Sequence, residues 1–287
     1  MSLRDYARLT KPKIIPLLLL VALASSTIAS KSIPPPITLV GLLVAGTLSS
    51  AGALALNSYL EMDLDAKMRR TRNRPLPTHR IEDRTRALLF ALSLLIIGIL
   101  VAYLTLNLYA TLFIALGALV YIPIYTMWLK PRTSWNIVLG GFAGSCAALA
   151  GWYAITNANP WVAWTLAALV FVWTPSHFWS LAVITEEDYS SAGIPMLPSV
   201  VGEKKAARYI VANTLLLIPV SLFFSPYFNG IGFMVYVLGA SIFDISILAT
   251  DIKLLLAPTK ENAWLAFKFS SPYLAFIFLL SSASALL

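Results

Sequence analysis

Long apolar runs alternate with short polar interruptions along the whole chain. Nine runs approach membrane-spanning length, at 14–30, 37–60, 87–106, 108–128, 136–155, 160–184, 209–226, 230–250 and 263–285. A bilayer core is crossed by about 20 apolar residues as a helix, and lipid leaves no other partner for backbone N–H and C=O groups. The pattern predicts an all-α integral membrane protein with nine transmembrane helices in one domain, 1–287. The first run lacks a small-residue cleavage site and is expected to be a retained span. Two polar stretches are long enough to carry chemistry, at about 61–86 and 185–208.

Composition agrees. Hydrophobic residues make up 59% and charged residues 12%, against about 25% charged in a soluble domain. With the N-terminus in the cytoplasm, alternating spans put 19 of the 21 Lys and Arg residues on that side. Lys31 falls on the other side, and Lys268 near the start of the last span. This asymmetry predicts N-terminus cytoplasmic, C-terminus outside, and both polar loops cytoplasmic. The net charge of +8 then reflects topology and contact with membrane lipid, and calls for no nucleic acid. The single Cys146 has no disulfide partner within the chain.

The first polar stretch begins "NSYLEMDLDAKMRRTRNRPLP", 57–77. If the second span continues as helix, Asn57, Glu61 and Asp65 lie at i, i+4 and i+8 on one face. Asp63 is two positions off that face. Pro75 and Pro77 forbid regular helix at the end. Clustered carboxylates repel one another, and a hard dication such as Mg²⁺ relieves this while bridging substrate phosphates. Arg69, Arg70, Arg72 and Arg74 offer forked donors to outer phosphate oxygens. A solvated helix cap laced with salt bridges would use the same residues.

The sixth span ends similarly, in Glu186, Glu187 and Asp188, followed by Lys204 and Lys205. Two acidic clusters at one membrane boundary could face each other across a cavity and hold one diphosphate through metal ions. His177 lies about three helical turns deeper, among Trp173, Phe178 and Trp179. Those rings suit either a flat aromatic pocket or plain bundle core, and the histidine either a ligand or a packed polar residue. Gly140, Gly141, Gly144 and Gly151 predict close packing of the fifth span. A transporter would more readily place its charges near the midplane, at broken helices; here they crowd one boundary.

The stretch 57–77 resembles the first acidic motif of UbiA-type intramembrane prenyltransferases. Its tail "MRRTRNRPLP", together with "YTMWLKPRTSWNIVLGGFAG" at 125–144 and "PSHFWSLAVITEEDYSSAGIPMLP" at 175–198, is similar to the haem-farnesylating branch. The resemblance implies a helix bundle around a central cavity. It implies Mg²⁺-dependent transfer of a farnesyl group from farnesyl diphosphate to the 2-vinyl group of haem b, with addition of water. A haem A synthase or terminal-oxidase assembly would be a partner. Carried over by position, Asn57, Asp65 and Asp188 are catalytic, and with Glu61 they hold metal. In the mechanism this suggests, Arg70, Arg74, Lys130 and Lys204 take the diphosphate; His177 matches the family's histidine and, with Trp173 and Trp179, is the candidate for haem. Asp63 and Tyr189 also match; Glu187 is a further candidate in a stretch that varies within the family. Glu61 stands where the family usually has aspartate. Ala147 and Ala148 replace a usual proline pair, which bears on the haem pocket. Other acceptors within the family, a quinone precursor or a glycerol-phosphate lipid, would use the same diphosphate half.

Overall fold

The structure is a computed structural model in which residues 3–287 are described. Among these residues it contains helices and turns and no strand. A short helix α1 (Leu3–Leu9) precedes α2 (Ile15–Ser30), α3 (Pro36–Leu60) and the six-residue α4 (Met62–Lys67). After a turn-rich loop come α5 (Arg84–Thr105) and α6 (Leu108–Leu119), the latter widening into a π-helical segment, Val120–Leu129. Then follow α7 (Asn136–Gly140), α8 (Phe142–Tyr153), α9 (Pro160–Ile184), α10 (Glu186–Ser191), α11 (Leu197–Val201), α12 (Glu203–Phe223), α13 (Gly230–Leu256) and α14 (Lys260–Leu286).

Local chemistry sets the boundaries. Pro36 and Pro160 open their helices where an N–H is not needed. The Asp83, Asn107 and Thr259 side chains cap α5, α6 and α14 by accepting first-turn amides. Gly202, at φ +83°, turns the chain into α12. Pro123 lacks an N–H inside the π-helical segment, and the Lys130 amide closes that segment five residues back, on Tyr125 O.

Among the described residues seven helical stretches are long and apolar enough to cross a membrane, so two of the nine expected spans come out differently. The first, α2, has 16 residues, about 24 Å at 1.5 Å per residue. The fifth breaks at Gly141 into α7 and α8. Its glycines do pack closely: a Cβ on Gly151 would lie 2.0 Å from Ala22 O of α2.

The main core joins α2, α8, α9 and α14 through Ile28, Leu149, Trp152, Leu166, Tyr273 and Phe278, all fully buried. Large apolar side chains such as Ile96, Leu104, Ile242 and Ile245 face outward, as lipid contact requires. A second cluster sits beneath the polar loops. Met68, Trp179, Tyr189, Ile194, Met196, Ile210 and Leu254 pack there, so the 185–208 stretch is folded onto the bundle.

Two carboxylates fall outside the boundary pattern read from the sequence. Asp244 and Asp251 of α13 are 1% and 2% exposed. Asp244 accepts from Ser221 Oγ and Tyr273 Oη, both at 2.6 Å. Asp251 accepts from Thr214 Oγ1 at 2.6 Å, and Thr214 contacts Ser176 Oγ at 3.1 Å.

Candidate active site

Asn57, Glu61 and Asp65 share one buried face, at 2%, 7% and 2% exposure. The helical repeat survives the α3–α4 junction because the Glu61 amide bonds Asn57 O at 2.9 Å and the Asp65 amide bonds Glu61 O at 2.7 Å. Asp63 points outward and is exposed, as its position two residues off the face requires.

Each of the three buried groups already has a basic partner. Arg74 Nη1 donates to Asp65 Oδ2 at 2.7 Å. Lys130 Nζ, from the end of the π-helical segment, donates to Glu61 Oε1 at 2.5 Å. Lys11 Nζ donates to Asn57 Oδ1, whose Nδ2 donates to Thr126 Oγ1 at 2.9 Å. Burial would raise the Glu61 pKa, but Lys130 and then Lys11 outweigh it and hold the carboxyl below its usual range. Burial, with Arg74 alongside, pulls the Lys11 ammonium down to about 7.

Sequence reasoning counted Lys11 only as a topology signal. It lies in the turn between α1 and α2, at φ +47°, and α1 is pinned by Ser58 Oγ donating to Leu9 O at 3.1 Å. Its position in "LTKPKI", at the mouth of the first span, was the available clue. Thr126 was also missed.

The second acidic cluster meets the first through the intervening loop. Asp188 Oδ1 accepts the Arg69 amide at 3.0 Å and Oδ2 the Arg70 amide at 3.1 Å. Glu187 pairs with Lys260 at 2.7 Å and with Arg69 at 3.6 Å. Thr71 Oγ1 donates to Asp65 O at 3.0 Å, so one loop touches both motifs. Arg70 is exposed. Lys204 is exposed on the first turn of α12 and has no ion pair among the described residues. Tyr189 is buried in the cluster beneath the loops.

His177 is 8% exposed. Its Nδ1 meets Ser270 Oγ of α14 at 2.5 Å. Its ring stacks on Trp173, at 4.5 Å between centroids, and on Phe267, at 4.6 Å. Trp173 Nε1 donates to Ser270 O at 2.8 Å. Trp179 belongs instead to the cluster beneath the loops, and its indole N–H finds no acceptor among the described residues. Trp173 and His177 therefore form one unit, and Trp179 another.

The oxygen donors of Asn57, Glu61 and Asp65, one per helical turn, have the hard character that Mg²⁺ prefers. They are not preformed as a cage: among the described residues no three His, Cys, Asp or Glu side chains converge as a metal site. The set fits a metal that arrives with a phosphate ligand of its own.

Residues 18–280 match the family model of the UbiA prenyltransferase family. The chain is 42% identical over 283 residues to protoheme IX farnesyltransferase 1 of Cenarchaeum symbiosum, covering 97% of this chain and 94% of the relative. It is 40% identical to protoheme IX farnesyltransferase of Sulfurisphaera tokodaii, covering 97% and 92%. Its fold is similar to that of a digeranylgeranylglyceryl phosphate synthase, with TM-score 0.79, 20% identity and coverage of 99% and 98%. It is also similar to a UbiA homolog from Archaeoglobus fulgidus bound to DMAPP and Mg²⁺, with TM-score 0.68, 15% identity and coverage of 97% and 99%. Joined acidic motifs on a multi-pass helical bundle, with a family match over most of the length, lead to one conclusion: this chain belongs to the UbiA prenyltransferase family.

Proposed function

We propose that the protein transfers a farnesyl group from farnesyl diphosphate to the 2-vinyl group of haem b and adds water there, giving haem O. The observation that carries the acceptor is near-full-length identity of 42% and 40% to proteins named protoheme IX farnesyltransferase. The diphosphate half rests on the loop that joins the two acidic motifs through Asp188.

In this reading nine helical rods, counting α2 and the broken α7–α8, surround a central cavity. The polar end faces the cytoplasm of a cell membrane, with the C-terminus outside. Asn57, Glu61, Asp65 and Asp188 would hold Mg²⁺, and that ion supplies neutralisation of the diphosphate as a leaving group. Arg70, Arg74, Lys130 and Lys204 take phosphate oxygens. The C1–O bond of the prenyl donor breaks, and the electron pair leaves with the diphosphate. The haem vinyl carbon attacks C1; water captures the resulting cation and loses a proton. His177 and Trp173, fixed on one side by Ser270, orient the porphyrin. His177 Nδ1 is committed to Ser270, which leaves Nε2 as the nitrogen to offer haem. Trp179, packed in the cluster beneath the loops, lies outside this unit. A haem A synthase or terminal-oxidase assembly would receive the product.

The test is incubation of purified protein with haem b, farnesyl diphosphate and Mg²⁺, followed by mass analysis of the extracted haem. Haem gaining one farnesyl and one hydroxyl group is the expected product. Unmodified haem alongside released diphosphate would point to another acceptor, such as a quinone precursor or a glycerol-phosphate lipid.

A further inference from the structure

Each of the three groups on the first acidic face that would bind a metal is already engaged, through one oxygen, by a basic side chain of the same chain. Lys11 holds Asn57, Lys130 holds Glu61 and Arg74 holds Asp65. Asp188 is engaged by two backbone amides. Two buried carboxylates therefore face three basic side chains. A dication entering alone competes with these cations for the same carboxylates, in surroundings that already carry surplus positive charge. Breaking a buried pair and stranding one partner is costly. Diphosphate alters both terms, because its oxygens accept the displaced cations in charge-assisted hydrogen bonds of the same kind.

We infer that Lys11, Lys130 and Arg74 are place-holding counter-ions that move from protein oxygens to diphosphate oxygens, so that metal and diphosphate bind as mutually dependent partners. The inference rests on the prenyl-diphosphate reading above. It adds Lys11 to the site and gives all three cations a double role. Lys11 is suited to this because it comes from a turn outside the spans, at φ +47°. The turn is anchored through Leu9 and Ser58 rather than through Lys11 itself. The lack of a preformed three-carboxylate site among the described residues agrees with a metal position completed by exchange. Linkage makes the coupling reciprocal: the factor by which diphosphate raises metal affinity is the factor by which metal raises diphosphate affinity.

The test is calorimetry on the detergent-solubilised full chain. Mg²⁺ alone, inorganic diphosphate with chelator, and Mg²⁺ at saturating diphosphate are titrated, with protein-free titrations correcting for their association in solution. Wild-type protein is expected to bind Mg²⁺ at least about tenfold more tightly when diphosphate is present, within the usual range of coupling. Lys11→Met and Lys130→Met are each expected to shift the two affinities in opposite directions, Mg²⁺ alone tighter and diphosphate alone weaker. A purely structural role would weaken both together, and that result overturns the inference. Independent binding of the two ligands to wild-type protein also overturns it, leaving the prenyl-diphosphate reading intact and needing no variant to fold. A wild-type chain that binds neither ligand in any combination overturns both.

Discussion

Two sets of buried carboxylates coexist in this molecule, and they are satisfied by different chemistry. At the polar end Glu61 and Asp65 are paired with Lys130 and Arg74. In α13, Asp244 and Asp251 are met, among the described residues, by hydroxyls alone, from Ser221, Tyr273 and Thr214. Asp244 lies 12 residues from the end of its helix, about 18 Å along it. The contrast separates exchangeable partners from permanent ones. Flexible cationic side chains at a water boundary can trade one anion for another. Hydroxyls fixed on packed helices cannot leave without exposing a buried acceptor. The first arrangement suits a site that must open for a charged ligand, and the second ties α12, α13 and α14 together.

The comparison can be broken most sharply at Asp65. Asp65→Asn is expected to cut prenyl transfer by at least about 10³-fold, at the upper end for losing one electrostatic contact in an active site. Arg74 is 27% exposed and keeps an amide oxygen to donate to, so the unfolding temperature in detergent should fall less than in Asp244→Ala. Turnover within tenfold of wild type would remove Asp65 from the chemistry. Asp244→Ala should do the reverse. Stranding the Ser221 and Tyr273 hydroxyls is expected to cost about 3 kcal/mol of stability, read by denaturation in detergent. Turnover per folded molecule should be unchanged. A catalytic loss without a stability loss would erase the distinction between the two sets.

A smaller effect is expected at Asp251. Asp251→Asn keeps an oxygen for Thr214 and should cost about 1 kcal/mol at most, the worth of one altered hydrogen bond. The smallest is expected at Glu187. Its side chain is 60% exposed, and screening by water leaves such pairs little energy. Glu187→Gln should therefore leave the unfolding temperature unchanged even though it breaks the pairs with Lys260 and Arg69.

What could be read from the sequence followed the reach of each interaction. Asn57, Glu61 and Asp65 were legible as one face because helical spacing is local, and Asp63 fell off it for the same reason. Membrane spans were legible from hydropathy, yet the same averaging passed over Asp244 inside an apolar run and Asp251 at its end. The fifth span read as closely packed, and Gly151 is; that Gly141 also interrupts it depends on how α7 and α8 meet their neighbours. Lys11 escaped because its partner is 46 residues away and is reached only through a left-handed turn. The bonds to Asp188 escaped for a plainer reason: backbone amides carry no sequence signature.

That last point has an evolutionary side. Asp188 grips the main chain at positions 69 and 70, so the tether does not depend on which side chains those positions bear. Drift there could retune the charge offered to a ligand while the two halves of the protein stay fastened. Only proline, which lacks the N–H, would cut the knot outright.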